Sequence, residues 1–202
     1  MVTPTADNEE AEEPPGCSRK DLLGPIFQLT AAIFQPPTDL LETDIATGRF
    51  AALTSQLADL LGFEQTLPST FDWDVIRASY VELFVSNPGG LPAPPYTGYA
   101  LDGALLGPST RELLTFLARN ALVVERSWSE LPDHLALVAE AGLLLLAGDR
   151  DREAAVLGER FLLPWFECYA EIVSERDRSG FYGRLGRFLR DAFQEVRHEV
   201  AA

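Results

Sequence analysis

Residues 135–146 read LALVAEAGLLLL, and apart from Glu140 no position carries a polar side chain. A helix built from them has no face suited to water, so it belongs in the middle of a bundle. The rest of the chain offers the helices to surround it. Leu22, Ile26, Leu29 and Ile33 repeat at helical spacing up to Pro36-Pro37, and Thr38 can cap a short helix holding Leu40, Leu41 and Ile45. A further helix runs from about Phe50 to Leu61 and stops at Gly62. Ser69 or Thr70 can cap the stripe Trp73, Ile76, Tyr80, Leu83 and Phe84, and Ser109 with Glu112 spells a capping box.

Pro132 suits the first turn of the apolar helix, Gly148 its end, and Asp149 or Asp151 the start of the next. Leu157, Phe161, Trp165 and Tyr169 then step by four along one ridge, which reads as core. After Ser179-Gly180, the residues Phe181, Leu185, Phe188, Ala192 and Val196 line a last amphipathic helix, with Arg184, Arg187 and Arg190 off its centre. No segment alternates as a strand does. The expected fold is all-α, a single-domain bundle of seven to nine helices over residues 18–202.

Composition narrows the partners. The 202 residues include 31 acids against 16 bases, a net charge of −15. Residues 1–16 hold five acids, no base and three prolines, and are read, up to about residue 17, as a disordered acidic tail. Without them the charge is still −10. Such a surface repels phosphate backbones, which argues against nucleic acid, and favours a cationic partner such as an Arg-bearing peptide. Lys20 is the only lysine, as a GC-rich genome or a high-salt host would produce.

Two cysteines and two histidines support neither a disulfide framework nor a metal site. The longest uninterrupted apolar run, Ala141 to Ala147, is too short to cross a membrane, and no export signal opens the chain. A cytoplasmic protein without a cofactor is expected.

Candidate chemistry is sparse. Asp133-His134 is the only catalytic-looking pair, and a small hydrolase using His134 would need a nucleophile beside the imidazole. Successive helical residues point about 100° apart, so the pair reads instead as an acid in the first helical turn next to a packed or capping histidine. No G-x-S-x-G elbow or phosphate-binding glycine loop occurs. What remains is the segment NPGGLPAPPYTGYALDG, residues 87–103, where four prolines and four glycines surround Tyr96 and Tyr99. Prolines hold such aromatics in place at low entropic cost, either to seal the bundle or to wall a groove.

An ordered set of motifs carries a resemblance. Tyr80-x-x-Leu83-Phe84 precedes Pro94-Pro95-Tyr96 and Tyr99. Leu131-Pro132-Asp133-His134-Leu135 follows, with Glu140 beyond, and then Phe161-Leu162-x-x-Trp165. Over about residues 20–195 this resembles the TorD/DmsD/NarJ family of molybdoenzyme maturation chaperones. One departure is Phe161, where the family commonly has histidine.

The resemblance implies a cytoplasmic chaperone rather than an enzyme, a monomer or homodimer without cofactor. Its partner would be the catalytic subunit of a molybdopterin oxidoreductase, bound by its twin-arginine leader or as apo-protein and held for cofactor insertion before export. A NarJ-like assembly factor for a non-exported nitrate reductase-type subunit is the alternative. The family's leader-binding region maps onto Tyr80, Leu83, Phe84, Pro95, Tyr96, Tyr99, Asp133 and His134. A receptor for two arginines and an apolar stretch needs an apolar groove with carboxylates at one end.

Overall fold

The computed structural model describes residues 19–63, 71–125 and 128–201. In chain order the helices are α1 (Arg19–Phe34), α2 (Asp39–Ala46), α3 (Arg49–Leu61), α4 (Trp73–Tyr80), α5 (Thr97–Asp102), α6 (Pro108–Arg119), α7 (Leu135–Ala147), α8 (Asp151–Leu157), α9 (Leu163–Arg176) and α10 (Phe181–Ala201). A π-helical turn, Val81–Val85, extends α4, and another, Gly158–Leu162, joins α8 to α9. Counted through those turns, the described segments form nine helical rods and no strand, within the expected range. The expected disordered tail lies outside the described residues.

The sequence stripes became the core. Leu22, Ile26, Leu29 and Ile33 of α1 are buried, as are Phe181, Leu185, Phe188, Ala192 and Val196 of α10. At the centre, the Phe34 ring lies 4.7 Å from Trp165, 5.5 Å from Phe84 and 6.0 Å from Phe166. Such tilted and edge-on ring pairs add to the area they bury. Helices α1 and α7 approach so closely that a Cβ on Gly142 would sit 2.7 Å from the Phe27 ring. Only glycine leaves α7 room there, so its position beside α1 is fixed.

Several boundaries differ from the sequence reading, each for a local reason. Helix α7 begins at Leu135 rather than Pro132, because residues 131–134 form a turn closed by the His134 N–H on the Leu131 carbonyl. Asp133 is therefore not in a first helical turn. The capping box does not form, because Pro108 starts α6 and Gly107 is its cap position. Ser109 instead donates its N–H and hydroxyl to Asp102 at the end of α5. Ser69 and Thr70 lie outside the described residues, and the cap of α4 is Asp72, whose Oδ1 accepts from the Asp74 and Val75 N–H groups.

Thr38 occupies the cap position of α2 without a side-chain bond; of the two candidate starts for the helix after α7, Asp151 opens α8, with Arg150 at the cap position. The segment 87–103 is not all loop, since its second half is α5. Helix α7 is buried at Leu135, Val138, Ala139, Leu145 and Leu146, yet Leu144 is 61% exposed. The bundle therefore encloses α7 on all but one strip.

Candidate functional site

The segment 92–98 is fastened to the start of α7 by backbone. The Thr97 N–H donates to the Asp133 carbonyl at 3.0 Å, and the Leu135 N–H donates to the Pro95 carbonyl at 3.0 Å. Tyr96 and His134 thereby face each other as an isolated antiparallel bridge. From the other side, Trp165 Nε1 donates to the Pro94 carbonyl at 2.7 Å and the Thr97 hydroxyl to the Phe161 carbonyl at 2.8 Å. Phe161 lies in the π turn before α9, where the helical hydrogen-bond register changes. That irregularity and the loop meet at one bond.

Asp133 secures the arrangement from inside. It is 0% exposed, and its Oδ2 accepts from the Gly98 N–H at 3.0 Å and the Thr110 hydroxyl at 2.8 Å. A Cβ on Gly98 would lie 2.6 Å from Thr110 Oγ1 and 2.8 Å from Asp133 Oδ2, so glycine alone fits. The carboxylate joins the starts of α5, α6 and α7 instead of facing water.

Outside this clamp lies an aromatic edge. The His134 ring stands 5.4 Å from Tyr96 and 5.8 Å from Trp128, both edge-on. Trp128 Nε1 donates to the Leu131 carbonyl at 3.2 Å, holding the indole over the turn. The Tyr96 hydroxyl donates to Glu130 Oε2 at 3.0 Å. Burial, then the bond to Glu130, pushes the Tyr96 phenol up to about 12, so it stays a donor at neutral pH. Glu130 is exposed and can still accept from a guanidinium.

His134 caps α7, its Nδ1 accepting from the Ala136 N–H at 3.3 Å. Burial holds its pKa below the ordinary 6.5, against smaller upward pulls from Glu130 and Asp133. The unfolded chain therefore takes up a proton near pH 6.5 that the folded chain refuses. Stability should be full above that pH and fall as the pH drops below it. Urea titrations at pH 7.5 and 5.5 should show the loss, and His134→Gln should shrink it; an equal loss in the variant would contradict this reading.

The other positions singled out by sequence separate into support and surface. Tyr80, Leu83 and Phe84 are buried, with the Tyr80 hydroxyl on the Phe34 carbonyl at 3.1 Å. Burial first, then Glu130 and Tyr96, raises the Tyr80 phenol to about 12. Phe84 lies 6.3 Å from Trp165, which in turn holds Pro94, so this trio backs the loop from behind. Pro95, Tyr96, Asp133 and His134 come together, with Pro95, Asp133 and His134 buried and Tyr96 half-buried. Tyr99 is half-buried; the Tyr169 phenol of α9 is pushed up chiefly by its own burial, with smaller contributions from Cys168 and Tyr99.

Sequence reading missed Trp128 and Glu130, and with them a groove beside the edge. Its cavity, about 320 Å³, is lined among others by Leu117, Val123, Trp128, Leu137, Glu140 and Leu144. The spacing of Leu137, Glu140, Ala141 and Leu144 on one face of α7 was the available signal. Among the described residues no three His, Cys, Asp or Glu side chains gather as a metal would require. No helix of the described residues is long and apolar enough to cross a membrane.

With this geometry in view, the likeness to known proteins is consistent. Residues 46–171, more than half of the chain, match the family model of the nitrate reductase delta subunit. The chaperone protein TorD of Shewanella loihica is 28% identical over 119 residues, covering 55% of this chain and 56% of that protein. The TorD of Vibrio cholerae is 23% identical over 134 residues, covering 61% of each. The chain thus spans about three-fifths of the length of these relatives. A crystal structure from Archaeoglobus fulgidus, assigned as a redox enzyme maturation protein, has the same fold, with a TM-score of 0.59 and 24% identity over 92% of this chain and 99% of that one. The chain belongs to the nitrate reductase delta subunit family, the family of the NarJ and TorD maturation proteins.

Proposed function

We propose that the protein is a maturation chaperone for the catalytic subunit of a molybdopterin-containing oxidoreductase. It binds that subunit's twin-arginine leader, or its apo form, and holds it for cofactor insertion before export. Family membership and two relatives named chaperones support the general role. The observation that carries the leader reading is the fixed edge: Tyr96, His134 and Trp128 in edge-on contact, with Glu130 on the Tyr96 hydroxyl. Rings offer apolar area at low entropic cost, and an exposed carboxylate beside them suits a guanidinium. Asp133, fully buried, positions this edge rather than meeting the arginines.

The test is calorimetric titration with a synthetic peptide carrying two arginines followed by an apolar stretch. Tyr96→Ala should weaken binding by about 1–2 kcal/mol, or some five- to thirtyfold in Kd. Glu130→Gln should weaken it at low salt, and less as salt rises. Equal affinity for wild type and both variants would move the site elsewhere. The family description favours a second reading, a NarJ-like factor for a non-exported nitrate reductase-type subunit. Under that reading, replacing both peptide arginines leaves the affinity unchanged.

A further inference from the structure

Both π turns are tied to the segment 87–97, one at each of its ends. In the turn Val81–Val85 the Ser86 N–H passes over its α-helical partner, the Glu82 carbonyl, and donates to Val81 at 2.8 Å. The Glu82 carbonyl is taken instead by Asn87 Nδ2 at 3.3 Å. In the turn Gly158–Leu162 the Leu163 N–H likewise reaches back to Gly158, and Pro164 has no N–H to give. There the Phe161 carbonyl accepts the Thr97 hydroxyl at 2.8 Å. Each end of the segment is thus fastened by one side chain to a carbonyl of a π turn.

The two fastenings differ. Thr97 is fully buried, and its N–H is held by the Asp133 carbonyl as well. Asn87 is half-buried, and its side chain closes two turns at once, Oδ1 accepting from the Gly89 N–H at 3.1 Å while Nδ2 holds Glu82. Beside it lies a hollow of about 200 Å³, lined by Leu83, Asn87 and Pro92 and by Arg176 and Arg178 near the end of α9. Gly89 and Gly90 have no side chains to fill it, so Asn87 holds this half of the segment. From Pro92 to Pro95 three prolines fix φ, so the chain between the glycines and Tyr96 moves as one piece. Ser86 and Asn87 compete for one carbonyl. Val81 and Val85 are 46% and 56% exposed, so little packing there opposes a shift to α-helical register. That shift returns Ser86 to Glu82 and expels Asn87.

We propose that the segment 87–97 is a strap that presents Tyr96 to the client peptide, with Asn87 and Thr97 as its positioning residues and the Asn87 end as its release point. This inference rests on the leader reading and concerns the regulation of that site. The peptide binds the fastened state, so its apparent Kd rises as the share of that state falls. Two near-isosteric substitutions in the full chain isolate the fastenings. Asn87→Asp keeps the acceptor for Gly89 and removes the donor to Glu82. Thr97→Val keeps the shape and removes the hydroxyl, and Thr97→Ser restores it.

The probe is the same two-arginine peptide, at high salt so that the charge added by Asn87→Asp is screened. Asn87→Asp and Thr97→Val should each bind it about fivefold more weakly, through slower association with dissociation nearly unchanged, and Thr97→Ser should bind as wild type does. In the free protein the amides of Gly90 and Tyr96 should exchange hydrogen faster in both variants, while those of α10 keep their protection. Unchanged exchange at those amides overturns the strap without reference to any peptide. Wild-type affinity in both variants, with Tyr96→Ala still impaired, overturns it and leaves the leader reading standing. Weakening confined to the dissociation rate makes the two residues direct contacts and overturns it too. No binding of the peptide to wild type overturns the leader reading, and this inference with it.

Discussion

Asp133→Ala should lower the free energy of unfolding by about 2–5 kcal/mol. The substitution strands two buried donors, the Gly98 N–H and the Thr110 hydroxyl, and each costs about 1–3 kcal/mol without an acceptor. Asp133→Asn keeps an oxygen for both donors, so it should cost clearly less. Its amide NH2 takes the place of the buried Oδ1, which has no hydrogen-bond partner, so part of the cost remains. Gly98→Ala should resemble Asp133→Ala, because its methyl group takes the space between the same two acceptor and donor atoms. Urea unfolding of the three variants checks the ranking. A loss below about 1 kcal/mol for Asp133→Ala would mean that the clamp is not what holds the loop.

Trp165→Ala carries the other large effect. The indole is buried among Phe34, Phe84, Phe166 and Tyr169, at ring distances of 4.7, 6.3, 5.3 and 5.4 Å. Truncating a buried aromatic to alanine costs about 3–5 kcal/mol. Trp165→Phe isolates the hydrogen bond, since it retains most of the ring packing but leaves the buried Pro94 carbonyl without its donor, for about 1–3 kcal/mol. In that variant the amides of Tyr96 and Thr97 should exchange hydrogen faster while those of α10 keep their protection. Uniform loosening of the whole bundle would instead make Trp165 a packing residue without a special hold on the loop.

Helix identity was legible because burial repeats with the helical period. Phe181, Leu185, Phe188, Ala192 and Val196 could be assigned to one face without knowing what lay against it. The start of α7 was not legible in the same way. Pro132 and Asp133 suit a first helical turn locally, and the competing backbone bonds come from Pro95 and Thr97, far away in sequence. The role of Asp133 was hidden for the same reason, its partners lying 35 and 23 residues away.

Periodicity also could not show that the apolar helix keeps one strip uncovered. Leu144 and Leu145 are alike in sequence, yet one is exposed and the other buried, because successive helical residues point about 100° apart and only Leu145 faces the core. Tyr96 was legible as an aromatic held by prolines, and His134 as a cap. Glu130 carries no local pattern, and only the Tyr96 hydroxyl marks it out.

The central claim is that a client leader lies along the edge formed by Tyr96, His134 and Trp128. Photo-cross-linking tests it most directly, using the two-arginine peptide with a benzophenone side chain placed just after the arginines. Adducts mapped by mass spectrometry should fall on residues 94–99 and 128–137 and be lost in excess unlabelled peptide. Competable adducts confined to α9 and α10, with none on those two segments, would contradict the account.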